Sequence, residues 1–406
     1  MTQAAETAPA RVASDTQLIA GVSAAHFVSH YYIIILPPLF GFVRADYGVS
    51  YIELGLALTA FNVVTALGQT PAGYLVDRFG PRVLLISGLL LGALAFALAG
   101  LVNSFWFFVA VFGLAGLANT VYHPADYAML SHHVAPERIS RAFSIHTFAG
   151  MLGSTAAPVS LLLMQSQWGW RGAFIGSALL GIVVAIVLFV TSGPEQRVAA
   201  KPKSEESGPV GWRLLVSAPI LLNLVLFALF ALVSGGLQYY SVVALGVLYG
   251  TAPTVANTAL TGYLLFSALG VLAGGVLGGR TGRYNLIVGI GFGVVGACAA
   301  VLASMPVGDV LIVATMATAG FFMGVTMPSR DLIVRAVTPA GSFGKVFGFV
   351  TSGFNLGGII APLIFGYAMD HGAAQWVFWL VVGFSLLYAS ASAFSGGRVE
   401  IQRAGR

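Results

Sequence analysis

The sequence predicts an all-α membrane protein of twelve transmembrane helices, arranged as two pseudo-symmetric six-helix bundles. Three observations carry this. Only 8% of the 406 residues are charged and 58% are hydrophobic, against roughly 25% charged in a soluble domain, so the main solvent must be lipid. Apolar stretches long enough to cross the ~30 Å hydrocarbon core, which takes ~20 helical residues, recur along the whole chain. A pattern in the first half also returns in the second half, at an offset of 202 to 204 residues.

The elements follow in order. Residues 1–17 are polar, have no cleavable pattern and are expected to form a cytoplasmic tail. Six spans are predicted at Leu18–Val43, Ile52–Leu75, Val83–Leu101, Phe105–Leu130, Ala142–Met164 and Ala173–Thr191, making an N-terminal bundle over 18–191. Residues 192–213 hold Gly193-Pro194, Lys201-Pro202-Lys203 and Ser204-Glu205-Glu206-Ser207, the one long polar segment, and read as a cytoplasmic linker. Six more spans are predicted at Leu214–Leu245, Ala252–Gly278, Leu286–Ser304, Val310–Val334, Phe343–Ala368 and Gln375–Phe394, a C-terminal bundle over 214–394. A cytoplasmic tail of residues 395–406 is expected to follow.

Basic residues set the orientation. With the N-terminus inside, Arg44 and Arg171 are the only two of the 19 Lys and Arg residues on the outer side. An odd number of spans would scramble this alternation, so the positive-inside rule supports twelve, with both termini cytoplasmic. The expected location is the inner (plasma) membrane.

Composition also excludes functions. The single Cys298 can form neither an intramolecular disulfide nor a thiolate metal cluster. The net charge of +5 is scattered between apolar spans without a basic patch, so no nucleic-acid partner is expected. No His-Glu-x-x-His, Gly-x-Ser-x-Gly or phosphate-binding loop occurs, which argues against an enzyme and against direct ATP drive. Lys201, Lys203 and Lys345 are the only lysines and none is at mid-depth, excluding a retinal Schiff base. No cofactor and no metal are expected, and the chain is expected to act as a monomer.

The halves repeat. Gly73-Tyr74-Leu75-Val76-Asp77-Arg78-Phe79-Gly80 after span two corresponds to Gly275-Val276-Leu277-Gly278-Gly279-Arg280-Thr281-Gly282 after span eight. Pro124, Arg141, Gly153 and Pro158 correspond to Pro328, Lys345, Gly357 and Pro362. Parallel repeats of this kind place a substrate site between the halves near the bilayer midplane. Gly88/Gly92, Gly270/Gly274/Gly278, Gly289/Gly293 and Gly320/Gly324 mark close helix crossings. Pro37-Pro38, Pro158 and Pro362 are expected to bend their helices.

The run Gly73-Tyr74-Leu75-Val76-Asp77-Arg78-Phe79-Gly80-Pro81-Arg82 resembles the signature of the major facilitator superfamily, with Pro81 in place of its first basic residue. Tyr122-His123-Pro124-Ala125 and Gly153-Ser154-Thr155-Ala156-Ala157-Pro158 resemble the fosmidomycin-resistance branch, whose members are taken to be proton-driven exporters. Two features depart from the pattern: the common span-four arginine is missing near Phe112, and Ala157 precedes Pro158 where exporters have Gly. The resemblance implies a secondary transporter of a small organic solute working by alternating access. Export by proton antiport and uptake of a small organic acid by proton symport both remain open, as does a transporter-like membrane sensor.

The resemblance also implies that Gly73, Asp77, Arg78, Gly80 and Arg82 form a conformational latch, with Asp77 beside the start of span eleven, where a carboxylate would be favoured by the helix dipole. The latch is asymmetric, because Gly279 replaces Asp77 in the second copy.

Ionisable groups inside membrane helices are costly and default to functional hypotheses. His26 and His30 are four apart in span one, His123 and Asp126 three apart in span four, and His146 lies in span five. An imidazole exchanges protons near neutral pH, so these five are candidates for proton coupling, against the alternative of a polar helix-to-helix contact. Arg330 and Asp331 at the end of span ten are cytoplasmic gate candidates, because Arg330 stands at the repeat position of Asp126 and an ion pair between the two could close the mouth, against the alternative that both are solvated at the interface. Tyr31, Asn119, Gln238, Tyr239, Tyr240 and Asn355 are candidates to line the cavity, with packing roles as the alternative. With no Lys or Arg at mid-depth, a tightly held multivalent anion is disfavoured.

Overall fold

A computed structural model describes residues 15–134, 136–191, 213–339 and 343–394. All of the expected linker but Arg213, and nearly all of both tails, lie outside the described residues. Among the described residues there are helices and turns but no strand. In order the helices are α1 (Asp15–Ile33), α2 (Phe40–Tyr47), α3 (Tyr51–Phe79), α4 (Pro81–Leu101), α5 (Phe105–Asn119), α6 (Tyr122–His133), α7 (Pro136–Thr191), α8 (Ala218–Gly235), α9 (Ser241–Tyr249), α10 (Pro253–Thr281), α11 (Tyr284–Ser304), α12 (Asp309–Ala336), α13 (Phe343–Asp370) and α14 (Gln375–Phe394).

Among the described residues, 11 segments are long and apolar enough to cross a membrane. One of them, Arg141–Thr191, has 51 residues. At ~1.5 Å per residue a straight helix of that length would reach about 77 Å, more than twice the hydrocarbon core. It is broken at Gly169 (φ 68°, ψ 174°), a left-handed position that favours glycine. The segment therefore crosses twice, as spans five and six, and the total is twelve.

Proline explains the other interruptions. Pro37 lacks an N–H for the carbonyl of Ile33, so α1 ends at Ile33 and the span resumes through a 3-10 turn, Pro37–Leu39, into α2. Pro124 acts likewise on the carbonyl of Thr120, separating α5 from α6 inside span four. Span seven has no proline at its break. There a single π turn, Gly236–Tyr240, joins α8 to α9.

The halves share one packing order. In the first, span one packs on span five, span two on span four, and span three on spans four and six; in the second, seven packs on eleven, eight on ten, and nine on ten and twelve. Glycines let these helices touch backbone to backbone. A Cβ at Gly153 would strike the Phe27 carbonyl, and one at Gly324 would strike that of Ser267. Between halves, span two packs on eleven and five on eight. On one side of the molecule the loops are tied together by Arg171, which donates to Asp46 and to Asn103, each at 2.7 Å.

Candidate functional site

The four-residue spacing of His26 and His30 puts both rings on one face of α1, and the three-residue spacing of His123 and Asp126 does the same on α6. His146 faces them from α7. The five side chains converge inside the first half. The Asp126 Oδ2 lies 3.3 Å from His26 Nδ1 and 3.7 Å from His146 Nε2. The His26 and His146 rings stack with centroids 3.8 Å apart, and His26 lies 4.5 Å from His30 and 5.3 Å from His123. Gly150 makes room for them, because a Cβ there would collide with both His26 and His30.

The core of the cluster is buried and polar. His26, Asp126 and His146 are buried, with Asp126 wholly inaccessible. Yet His26 Nδ1, His123 Nδ1, both oxygens of Asp126 and both nitrogens of His146 have no hydrogen-bond partner within the protein. His30 is better placed, with Nδ1 3.4 Å from Ser154 Oγ. An unpaired buried polar group costs about 1–3 kcal/mol, more when charged, so this arrangement suits a site that takes up a cation. The nitrogens of His26 and His146 and an oxygen of Asp126 all lie within 4.8 Å of one another, so a small inward shift would let them share one small ion.

The repeat position of Asp126 in the second half is Arg330, and its surroundings are the opposite. Its guanidinium sits 4.4, 4.7 and 4.9 Å from the ring centres of Phe227, Phe230 and Phe354. The 204-residue offset that carries Asp126 to Arg330 also carries His26 to Phe230 and Gly150 to Phe354. One structural position thus holds an acidic side chain among imidazoles in one copy and a guanidinium among phenyl rings in the other. Arg330 pairs with its neighbour Asp331 through Nε and Nη2 at 2.9 and 2.8 Å. The ion pair expected between Arg330 and Asp126 is not formed here, because each side chain is buried inside its own bundle, Asp126 beside His26 and Arg330 beside Asp331.

The seam between spans two and eleven is closed at one end and open at the other. At the Tyr51 end, the Asp370 carboxylate accepts from the amides of Tyr51 at 2.6 Å and Ile52 at 2.8 Å. Thr59 donates to the carbonyl of Ile359, and Asn62 to that of Gly358. A Cβ at Gly366 would press on the Ile52 backbone, and one at Gly55 on Pro362. At the far end, a Cβ at Gly73 would meet nothing within 4 Å.

This far end carries the expected latch. Asp77 and Arg78 are exposed, and neither makes an ion pair among the described residues. Gly80 has φ 91° and turns the chain from α3 into α4. Arg82 donates to the carbonyl of Phe189 at 2.7 Å, near the C-terminus of α7, where a cation complements the helix dipole.

The polar residues expected to line a cavity divide. Tyr240 is fully buried, donates to the Pro362 carbonyl at 2.8 Å and packs against Phe40 and Phe365. Tyr31 is 3% exposed and shares a 2.8 Å hydrogen bond with Ser160. Both are packing groups in this state, because their hydroxyls are spent on local acceptors. Asn119, Gln238, Tyr239 and Asn355 are partly accessible, and Gln238 donates to Ser234 Oγ, one turn back. Asp370 and Gly150 were missed in the sequence: a cap that links residues 319 apart leaves no local pattern, and one glycine among 51 carries no signal.

The chain matches the description of the Major Facilitator Superfamily over residues 22–251 and again over 239–400. A probable nitrate/nitrite transporter, NarK2 of Mycobacterium tuberculosis, is 28% identical over 373 residues, covering 88% of this chain and 89% of that one. A probable L-galactonate transporter of Escherichia coli is 31% identical over 144 residues, 36% of this chain and 32% of that protein. The crystal structure of a bacterial homologue of the human lysosomal transporter Spinster, inward-facing and unoccupied, superposes with a TM-score of 0.79 at 15% identity, covering 94% of this chain and 96% of that one.

Proposed function

The chain belongs to the Major Facilitator Superfamily, and from that premise we propose that it exports a small organic solute across the inner membrane in exchange for protons. The observation that supports an alternating-access cycle is the one-ended seam: tight at Tyr51–Asp370, open at Gly73. With both termini on the cytoplasmic side, this is a state open to the cytoplasm. The group that favours ion coupling is Asp126, the only buried acidic side chain among the described residues. A membrane-buried carboxylate with unpaired oxygens is retained at a cost, and cation uptake is a use that offsets it.

Uptake of a small organic acid by proton symport is the second reading. It is favoured by the relatives whose names specify an anion, nitrate/nitrite and L-galactonate. One experiment separates the two. The full chain in proteoliposomes is given an imposed pH gradient of either sign, and a panel of small organic acids and hydrophobic drugs is followed. Flux opposite to the proton flow supports antiport, and flux along it supports symport. Ligand binding with no flux under either gradient would mark a sensor instead.

A further inference from the structure

We infer that the cluster of His26, Asp126 and His146 is also a binding site for one divalent transition-metal ion of the zinc or cobalt type, and that the bound ion clamps spans one, four and five together. The inference rests on the reading of Asp126 as a cation site, and it adds a ligand that a proton-coupled carrier does not require.

Geometry comes first. In a tetrahedral site with bonds of about 2.0–2.1 Å to nitrogen and oxygen, neighbouring ligand atoms lie roughly 3.3 Å apart. His26 Nδ1 and Asp126 Oδ2 are 3.3 Å apart, and His146 Nε2 and Asp126 Oδ2 are 3.7 Å apart. A contraction of a few tenths of an ångström brings the second pair to the same edge. None of these atoms is hydrogen-bonded, so an entering ion displaces only the imidazole–carboxylate contacts within the cluster. A fourth position can be taken by His123, whose Nδ1 is also unpartnered and whose ring lies 5.3 Å from that of His26.

Chemistry selects the class of ion. Two imidazoles and one carboxylate suit zinc, cobalt, nickel or copper, whereas magnesium and calcium prefer an all-oxygen shell. Charge balance agrees: one carboxylate against a dication leaves a single net positive charge, spread over imidazole ligands that carry no charge of their own. The three ligands come from α1, α6 and α7, so a bound ion fixes three helices that pack on one another.

The test uses the full chain in detergent, purified without a polyhistidine tag. Cobalt(II) is titrated and followed by the visible absorption of the tetrahedral ion, with zinc(II) stoichiometry measured by calorimetry and by the shift in Tm. The expected result is one cobalt or zinc ion per chain with a raised Tm. Asp126→Asn and His146→Gln should each weaken binding at least tenfold while eluting as folded protein. A His371→Gln variant, which changes an exposed histidine just past the end of α13, in the other half of the molecule, should bind as wild type does. Absence of the cobalt band in wild type overturns the inference, and so does binding lost in His371→Gln but kept in Asp126→Asn. Because no gradient or solute is present, this outcome is independent of whether the chain moves a solute on a proton gradient.

Discussion

The Asp370 carboxylate accepts the Tyr51 amide at 2.6 Å, joining the last residue of α13 to the first residue of α3 across the two bundles. A second bond, from Ile52, makes it a two-point cap on a helix N-terminus. The bond belongs to the link from packing to dynamics, because it can exist only while this end of the seam is closed.

Asp370→Ala should therefore shift the resting state. Hydrogen bonds to charged groups contribute about 1.5–3 kcal/mol, and loss of even the lower figure changes a two-state population about tenfold. Spin-label distances between the outer ends of α3 and α13 should lengthen in the variant. Unchanged distances would show that packing at Gly55 and Gly366 holds the seam without the cap.

Asp126→Asn should move stability and function in opposite directions. Asn keeps the shape of the buried acid and avoids the cost of desolvating a carboxylate, so Tm should hold or rise while gradient-driven flux disappears. A variant that loses Tm and flux together would instead mark Asp126 as a structural group.

Two glycine substitutions should differ in kind. In Gly324→Ala the new methyl meets the Ser267 backbone, and overpacking of this sort costs about 1–3 kcal/mol, lowering Tm. In Gly150→Ala it meets the side chains of His26 and His30. These can move, so Tm should change little while transport falls. Equal Tm losses in both would refute a special role for Gly150.

Exchanging the charges of Asp126 and Arg330 should not restore activity lost in either single reversal. Asp126 is enclosed by imidazoles and Arg330 by phenyl rings, so each swap places a charge in the wrong cage. Rescue of flux by the double variant would show that the two meet in another state of the cycle.

Asp77→Asn should abolish transport while the protein still reaches the membrane. Asp77 is exposed and makes no ion pair here, so the variant should leave this state intact and lose only the opposite one. Crosslinking between the Gly73 end of α3 and the start of α13 should fall in the variant, and a wild-type yield would remove the latch.

Much of the fold was legible because lipid imposes a length and a polarity on every span. The breaks at Pro37, Pro124 and Gly169 follow from local chemistry, and the first was expected outright. The π turn at Gly236–Tyr240 was not legible, since no proline marks it and its sequence is compatible with an α-helix. The five ionisable residues of the site could be picked from three separate spans by intramembrane cost alone. Their convergence could not, because it depends on how α1, α6 and α7 rotate against one another. For Tyr31 and Tyr240 the sequence left lining and packing both open, because a polar residue at middle depth can spend its hydroxyl on Ser160 or on the Pro362 carbonyl as readily as on a cavity.

The Asp370 cap has no twin. The repeat places Pro253 at the start of α10 opposite Tyr51 at the start of α3, and proline has no amide hydrogen to give. The residue matching Asp370 is Ser166, whose hydroxyl is spent on Leu163 in its own helix. A door bolted along one edge does not part evenly: once the bolt slips, the molecule is expected to swing about its unbolted seam, between spans five and eight, so that solute crosses by a slanted path rather than along the pseudo-symmetry axis.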